Sequence, residues 1–172
     1  MNGFILLIPL FLIRYGLLAL LSKDALPRAA FFAPVIGNEK IAYWLYQLAN
    51  VFFFIYLFFL KIQTGTSWFY TGLAVYCLGT LLCIAATVAF AKPAENGISR
   101  DGVYRFSRNP MYVAYFLIFL GCVLLTRSWA LFVCLIIFQV SAHWIILAEE
   151  RWCIQQFGED YVAYTHRVRR YM

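Results

Sequence analysis

Charge is what this sequence has least of. Only 13% of its 172 residues are Asp, Glu, Lys or Arg, whereas 64% are hydrophobic and 20% aromatic. An ordinary soluble domain is about half apolar and about a quarter charged. The shortage excludes a soluble globular domain and reads as an integral membrane protein. Paired cysteines are also missing. Cys77, Cys83, Cys122, Cys134 and Cys153 form an odd, scattered set with no Cys-x-x-Cys. That argues against a disulfide framework and against zinc, so no metal is expected. There is no internal repeat, no low-complexity tract and no Ser/His/Asp or Cys/His arrangement. The net charge of +6 sits at the ends of apolar runs. Orientation and anionic membrane lipid account for it there, and no nucleic-acid partner is expected.

What is present is a series of long apolar runs. Spanning hydrocarbon takes about 20 apolar residues. Runs at residues 4–21, 41–60, 68–91, 111–125 and 129–148 predict an all-α integral membrane protein with about five transmembrane helices. Thr126-Arg127-Ser128 leaves room only for a tight turn, so the last two helices form a helical hairpin. The chain reads as a single membrane domain, residues 1–172. Three N-terminal spans fill 1–91; a loop, the hairpin and a tail fill 92–172.

Details along the chain refine this picture. The first run has no basic n-region and no small-residue cleavage site, so an anchor is expected rather than a removed signal peptide. Arg14 inside it has two readings: a stem that snorkels to the interface, or a functional charge in the membrane. Tyr43, Trp44 and Tyr46 are expected as an interfacial belt, and Phe31-Phe32 draws the 22–40 connection toward the interface. Gly72, Gly79, Ala85 and Ala86 permit close packing of the third helix. The fifth helix is expected to continue to Phe157 and stop at Gly158. Asp160 is then expected to cap a C-terminal interfacial helix. Tyr161, Tyr164 and Val168 lie on one side of it; His166, Arg167, Arg169 and Arg170 form a basic face.

Basic residues set the expected orientation. The 22–40 connection, the 92–109 loop and the tail carry three, four and four Lys or Arg, eleven in all; the opposite side has Lys61 and Arg127. The positive-inside rule places the eleven in the cytoplasm and the N-terminus outside, with a bacterial inner membrane or similar as the location.

Two polar clusters interrupt the apolar pattern, one at residues 101–112 and one at Glu149-Glu150-Arg151. Asn109-Pro110 is a helix-start signal, because proline at the first helical position loses no needed hydrogen bond. Asn109 is the expected cap. A helix N-terminus also offers N–H groups and partial positive charge to an anion, which Arg108 can grip in a fork. The alternative for Arg105 and Arg108 is contact with lipid headgroups. On the fifth helix Gln139, His143 and Glu150 share a face, either as site residues or as polar contacts between helices. Glu149 lies about 100° round from Glu150, so the two carboxylates have different jobs.

These residues resemble a family. Gly102-Val103-Tyr104-Arg105-Phe106-Ser107-Arg108-Asn109-Pro110-Met111-Tyr112 is similar to the Gly-x-Tyr-x-x-x-Arg-His/Asn-Pro-x-Tyr signature of the isoprenylcysteine carboxyl methyltransferase and phospholipid methyltransferase superfamily. Glu149-Glu150, then Phe157-Gly158-Glu159-Asp160-Tyr161, Tyr164, Val168 and Arg170 resemble its second signature. The resemblance implies methyl transfer from S-adenosylmethionine to a lipophilic or lipid-attached acceptor at the cytoplasmic membrane face, such as a prenylcysteine-like carboxylate. By position it implies that Tyr104, Arg108, Asn109, Pro110, Tyr112, Glu149 and Glu150 line a cofactor pocket. Arg108 and Glu150 are catalytic candidates, and so is His143, as a possible base for a lipid amine. Isoprenylcysteine enzymes often carry His where this chain has Asn109, and the third span lacks the Gly-x-Gly associated with phospholipid N-methyltransferases. Phospholipid N-methylation is the alternative. An NADPH-dependent membrane reductase and a non-catalytic membrane subunit stand further off.

Overall fold

The computed structural model describes residues 1–23, 25–93 and 97–171; positions 24 and 94–96 of the expected connections lie outside these. Among the described residues every named element is helical, and one isolated bridge joins Asn2 to Lys61. The first apolar run is a helical rod, Gly3–Leu21 (α1). It starts as a 3-10 turn, passes through a π-helical stretch at Leu12–Leu17 and ends α-helical. A short helix, Ala25–Ala30 (α2), follows. Then come Glu39–Tyr56 (α3), Ser67–Ala91 (α4), Pro110–Thr126 (α5), Trp129–Phe157 (α6) and Glu159–Arg167 (α7).

All five expected apolar helices form, but three of them, α1, α4 and α6, are long and apolar enough to cross a membrane. The other two fall short for different reasons. Helix α5 has 17 residues, because Pro110 begins it and Arg127 ends it in the left-handed conformation at φ 52°. Helix α3 opens on Glu39-Lys40 and carries Gln47 and Asn50. The α5–α6 turn is the expected tight one, with the Ser128 hydroxyl accepting the Leu131 N–H at 3.3 Å.

Helices α4 and α5 approach most closely, and glycine permits it. A Cβ on Gly121 would sit 2.6 Å from the Tyr76 Cβ, and one on Gly79 would sit 2.7 Å from the Ile118 nitrogen. In hydrocarbon such contact is a main source of helix association, because lipid tails are as apolar as leucine. The core between α3, α5 and α6 is aromatic. Phe53 stacks on Phe119 at 4.3 Å between ring centres, and Phe119 meets Phe138 edge-on at 5.1 Å. Tyr46 joins this core by stacking on Phe138, whereas Trp44 stays exposed. The expected aromatic belt therefore loses Tyr46 to the interior, because position 46 lies on the buried face that continues through Ala49 and Phe53.

The connections gather at two ends. At one, Ile62 N–H donates to Met1 C=O, Gly3 to Leu60 and Gln63 to Leu125. At the other, Arg151 pairs with Glu39, Arg28 donates to the Phe90 carbonyl and Arg108 N–H donates to Arg169 C=O. The three basic connections thus share an end. Helix α6 stops at Gly158, as expected. Helix α7 begins one residue before the expected cap: Gly158 occupies the cap position, and Asp160 falls in the first turn, 3.6 Å from Arg100. Tyr161 and Tyr164 pack against Ile98 and Phe157, so this helix is pinned to the 97–109 loop.

Gly121→Ala is expected to cost about 1–3 kcal/mol, because the added methyl overlaps Tyr76 and neither helix can withdraw. Gly16→Ala, where a Cβ meets nothing within 4 Å, is the matched control and is expected to be neutral or mildly stabilising. Unfolding titrations in mixed detergent micelles measure both.

Candidate functional site

The loop before α5 is built to turn side chains inward. Gly102 takes a positive φ of 59°, and a 3-10 turn at Gly102–Arg105 follows it. The turn buries Tyr104, whose carbonyl accepts the Tyr164 hydroxyl at 2.7 Å. Burial holds the Tyr104 phenol above its ordinary pKa, so it stays a neutral donor. Asn109 occupies the cap position of α5, but its side chain makes no capping bond. Its amide instead points to Glu150 Oε1 at 3.4 Å and the Arg170 carbonyl at 3.2 Å. The Ser107 hydroxyl accepts the Asn109 N–H at 3.1 Å.

Glu150 is the knot of this region. Its Oε1 accepts both Nε and Nη2 of Arg108, at 3.0 and 2.9 Å; its Oε2 accepts the same two atoms of Arg170, at 3.0 and 2.9 Å. Arg108 Nη1 donates to the Thr165 and Val168 carbonyls at 2.9 and 2.8 Å. Four of its five N–H donors are therefore engaged inside the protein. The expected fork exists, but its anion is Glu150.

Glu149 faces elsewhere. It accepts the Tyr112 hydroxyl at 2.8 Å and lines a cavity of about 560 Å³. Ligand pockets run from roughly 300 to 1,000 Å³. The cavity brings Tyr104, Arg108, Asn109, Tyr112, Glu149 and Glu150 together. Pro110 is buried and does not line it; it fixes the start of α5. His143 does not line it either, and its Nδ1 lies 2.7 Å from the Tyr171 hydroxyl. It shares a helix face with Glu150 but stands seven residues away, roughly 10 Å along the axis.

Several lining residues escaped the motif reading. Tyr46 and Tyr115 add hydroxyl-bearing rings, while Phe32 and Trp152 add apolar wall. Arg14 reaches the cavity from α1, donating through Nη1 to the Tyr115 hydroxyl at 2.9 Å and through Nη2 to the Ala29 carbonyl. Its charge inside an apolar run was the available signal, but inward and snorkelling directions look alike in a sequence. The cover over this end is tied down by Arg151, which holds the Glu39 carboxyl at a pKa of about 2, chiefly through their hydrogen bond. Among the described residues no group of His, Cys, Asp and Glu gathers as a metal site.

The two glutamates are expected to separate in their effects. Glu150→Ala leaves two guanidiniums without their carboxylate, in a place where Arg108 and Glu150 side chains are each 9% exposed. A loss of about 3 kcal/mol and earlier tryptic cleavage of the tail are expected. Glu149→Gln keeps a hydrogen-bonding group for Tyr112 and is expected to leave the unfolding transition within about 1 kcal/mol of the parent. Thermal unfolding and timed proteolysis of the purified variants check both.

Residues 83–160 match the family model described as phospholipid methyltransferase. No curated protein and no solved structure matches the chain. The matched stretch runs from the end of α4 through the loop, the helical hairpin and the start of α7, and so contains both polar clusters. This match is consistent with the likeness of the two polar motifs to the wider isoprenylcysteine and phospholipid methyltransferase superfamily.

Proposed function

We propose that the cavity beside Glu149 binds S-adenosylmethionine, and that the protein methylates a lipophilic acceptor held in the membrane. The observation that carries this reading is the meeting of both motifs on one cavity: Tyr104, Asn109 and Tyr112 from the first, Glu149 from the second. The donor set fits such a cofactor. Glu149 is a carboxylate with a single neutral partner, so it suits an ammonium group or ribose hydroxyls. The tyrosine rings suit a sulfonium cation. When bound, the cofactor would supply an activated methyl group for direct displacement.

The chain's own contribution is positioning. Helices α5 and α6 hold the tyrosines and Glu149 on rigid backbone, and the Glu150 knot fixes the loop against them. Phe31 and Phe32 from the 22–40 connection add apolar wall to the cavity. For an anionic carboxylate acceptor no base is needed. For a lipid amine, the description of the matched family favours this second acceptor, and Glu149 is the group positioned to take the proton. His143, which faces Tyr171, is left a structural role in this reading. The eleven basic residues at the cavity's end support a cytoplasmic placement.

Calorimetric titration of S-adenosylmethionine into the detergent-purified protein tests the reading. Saturable binding to the parent is expected, weakened at least tenfold, about 1.4 kcal/mol, in Glu149→Gln. Unchanged affinity in that variant would remove Glu149 from the site, and no binding to the parent would sink the proposal.

A further inference from the structure

A second hollow, of about 570 Å³, lies apart from the cavity and shares no lining residue with it. The last two turns of α4 form its floor. Ala85 stands three residues before Val88 and four before Ala89, so the three line one side of the helix. Phe90, the next residue, lines the cavity instead. The other wall of the hollow is the loop before α5, from Asp101 to Val103. Gly102 brings that loop close: its φ is 59°, and a Cβ there would sit 3.4 Å from the Ala89 Cβ.

The hollow straddles the edge of the hydrocarbon. Helix α4 is long and apolar enough to cross a membrane, with a hydropathy of 2.2, and it ends at Ala91. The floor therefore belongs to the apolar side of the boundary. Lys92, the first residue after the helix, lines the polar rim.

Charge at this rim is lopsided. Lys92 is exposed, and none of the ion pairs among the described residues includes it. Asp101 is the one acid lining the hollow among the described residues, and it faces Arg105 at 3.1 Å. With 71% of the Arg105 side chain and 69% of the Asp101 side chain exposed, that pair holds weakly. One Nη2 hydrogen of Arg105 is engaged, which leaves the guanidinium four N–H donors. Arg105 does not line the cavity, so its charge has no work there. Phe106 beside it is 75% exposed, as a ring that enters the headgroup layer is.

We propose that this hollow binds an anionic phospholipid of the surrounding bilayer. The phosphate sits between Lys92 and Arg105, and an acyl chain lies over Ala85, Val88 and Ala89. Charge complementarity selects the headgroup, and the apolar floor selects a lipid over a free anion. Small floor residues leave the chain its room. The bound lipid braces the turn at Gly102–Arg105, which buries Tyr104 at the neighbouring cavity. The site stands whatever the cavity itself binds.

Native mass spectrometry of the full chain in detergent, titrated with phosphatidylglycerol or phosphatidylcholine, reads the affinity of the first bound lipid. The parent is expected to hold phosphatidylglycerol at least fivefold more tightly, because a basic residue near an anionic headgroup is worth about fivefold. Lys92→Gln and Arg105→Gln are each expected to lower phosphatidylglycerol affinity by about that factor. Ala85→Leu is expected to lower it by filling the floor, and Arg127→Gln, at the opposite end, to leave it unchanged. Equal affinity of the parent for the two lipids overturns the site even if a variant fails to fold. So does a preference that survives in the Lys92→Gln, Arg105→Gln double variant, or one that falls as far in Arg127→Gln. Unchanged phosphatidylglycerol affinity in Ala85→Leu takes the acyl chain off this floor and also overturns it. In a parallel arm, excess glycerol phosphate is expected to leave the lipid bound; displacement of phosphatidylglycerol by it overturns the lipid assignment.

Discussion

One buried carboxylate organises the polar end of this protein. Glu150 is shared by two guanidiniums, Arg108 from the loop before α5 and Arg170 from the tail. A buried charge must be paired to be tolerated, and here one pairing joins three separate stretches of chain. The loop residues 101–109 have little regular structure of their own, so their placement depends on it. The same knot draws the Asn109 amide away from helix capping and ties the tail carbonyls of Thr165 and Val168 to Arg108.

Glu150 is consumed by two guanidiniums, whereas Glu149 accepts the Tyr112 hydroxyl on the cavity wall. Adjacent residues on a helix point about 100° apart, so when one faces the knot the other faces the cavity. The helices frame that cavity through contacts of a different kind. Gly79 and Gly121 let α4 and α5 touch backbone to side chain, and the Phe53–Phe119–Phe138 stack fixes α3 against the hairpin. On that cavity's wall Glu149, Arg14 and Arg28 have no salt-bridge partner among the described residues.

Much of this was legible in the sequence. The helix ends at Pro110, Phe157 and Gly158 follow from proline and glycine stereochemistry, which acts locally. The small residues Gly72 and Gly79 signalled the α4–α5 contact for the same reason. The pairing within the motifs was not legible. Arg108 and Asn109 were expected to face a ligand and a helix end; both turn to Glu150, a choice made by the tail folding back through Arg170. Periodicity put His143 on the face of Glu150 but could not show that the cavity ends before it. Tyr46 looked like an interface residue because aromatic type alone does not reveal which side of α3 is buried. The five apolar runs were visible, while the polar residues of α3 and the shortness of α5 reduced the clear membrane crossings to three.

The architecture places a cavity lined by both motifs beside the 22–40 connection. Transfer itself is the direct measurement. The purified protein, reconstituted in lipid nanodiscs, is incubated with methyl-labelled S-adenosylmethionine and, in parallel, a prenylcysteine, phosphatidylethanolamine or a small thiol. The account predicts label in one of the two lipophilic acceptors, lost in Glu149→Gln while the protein remains folded. Label in none of them, or label only in the water-soluble thiol, would contradict it.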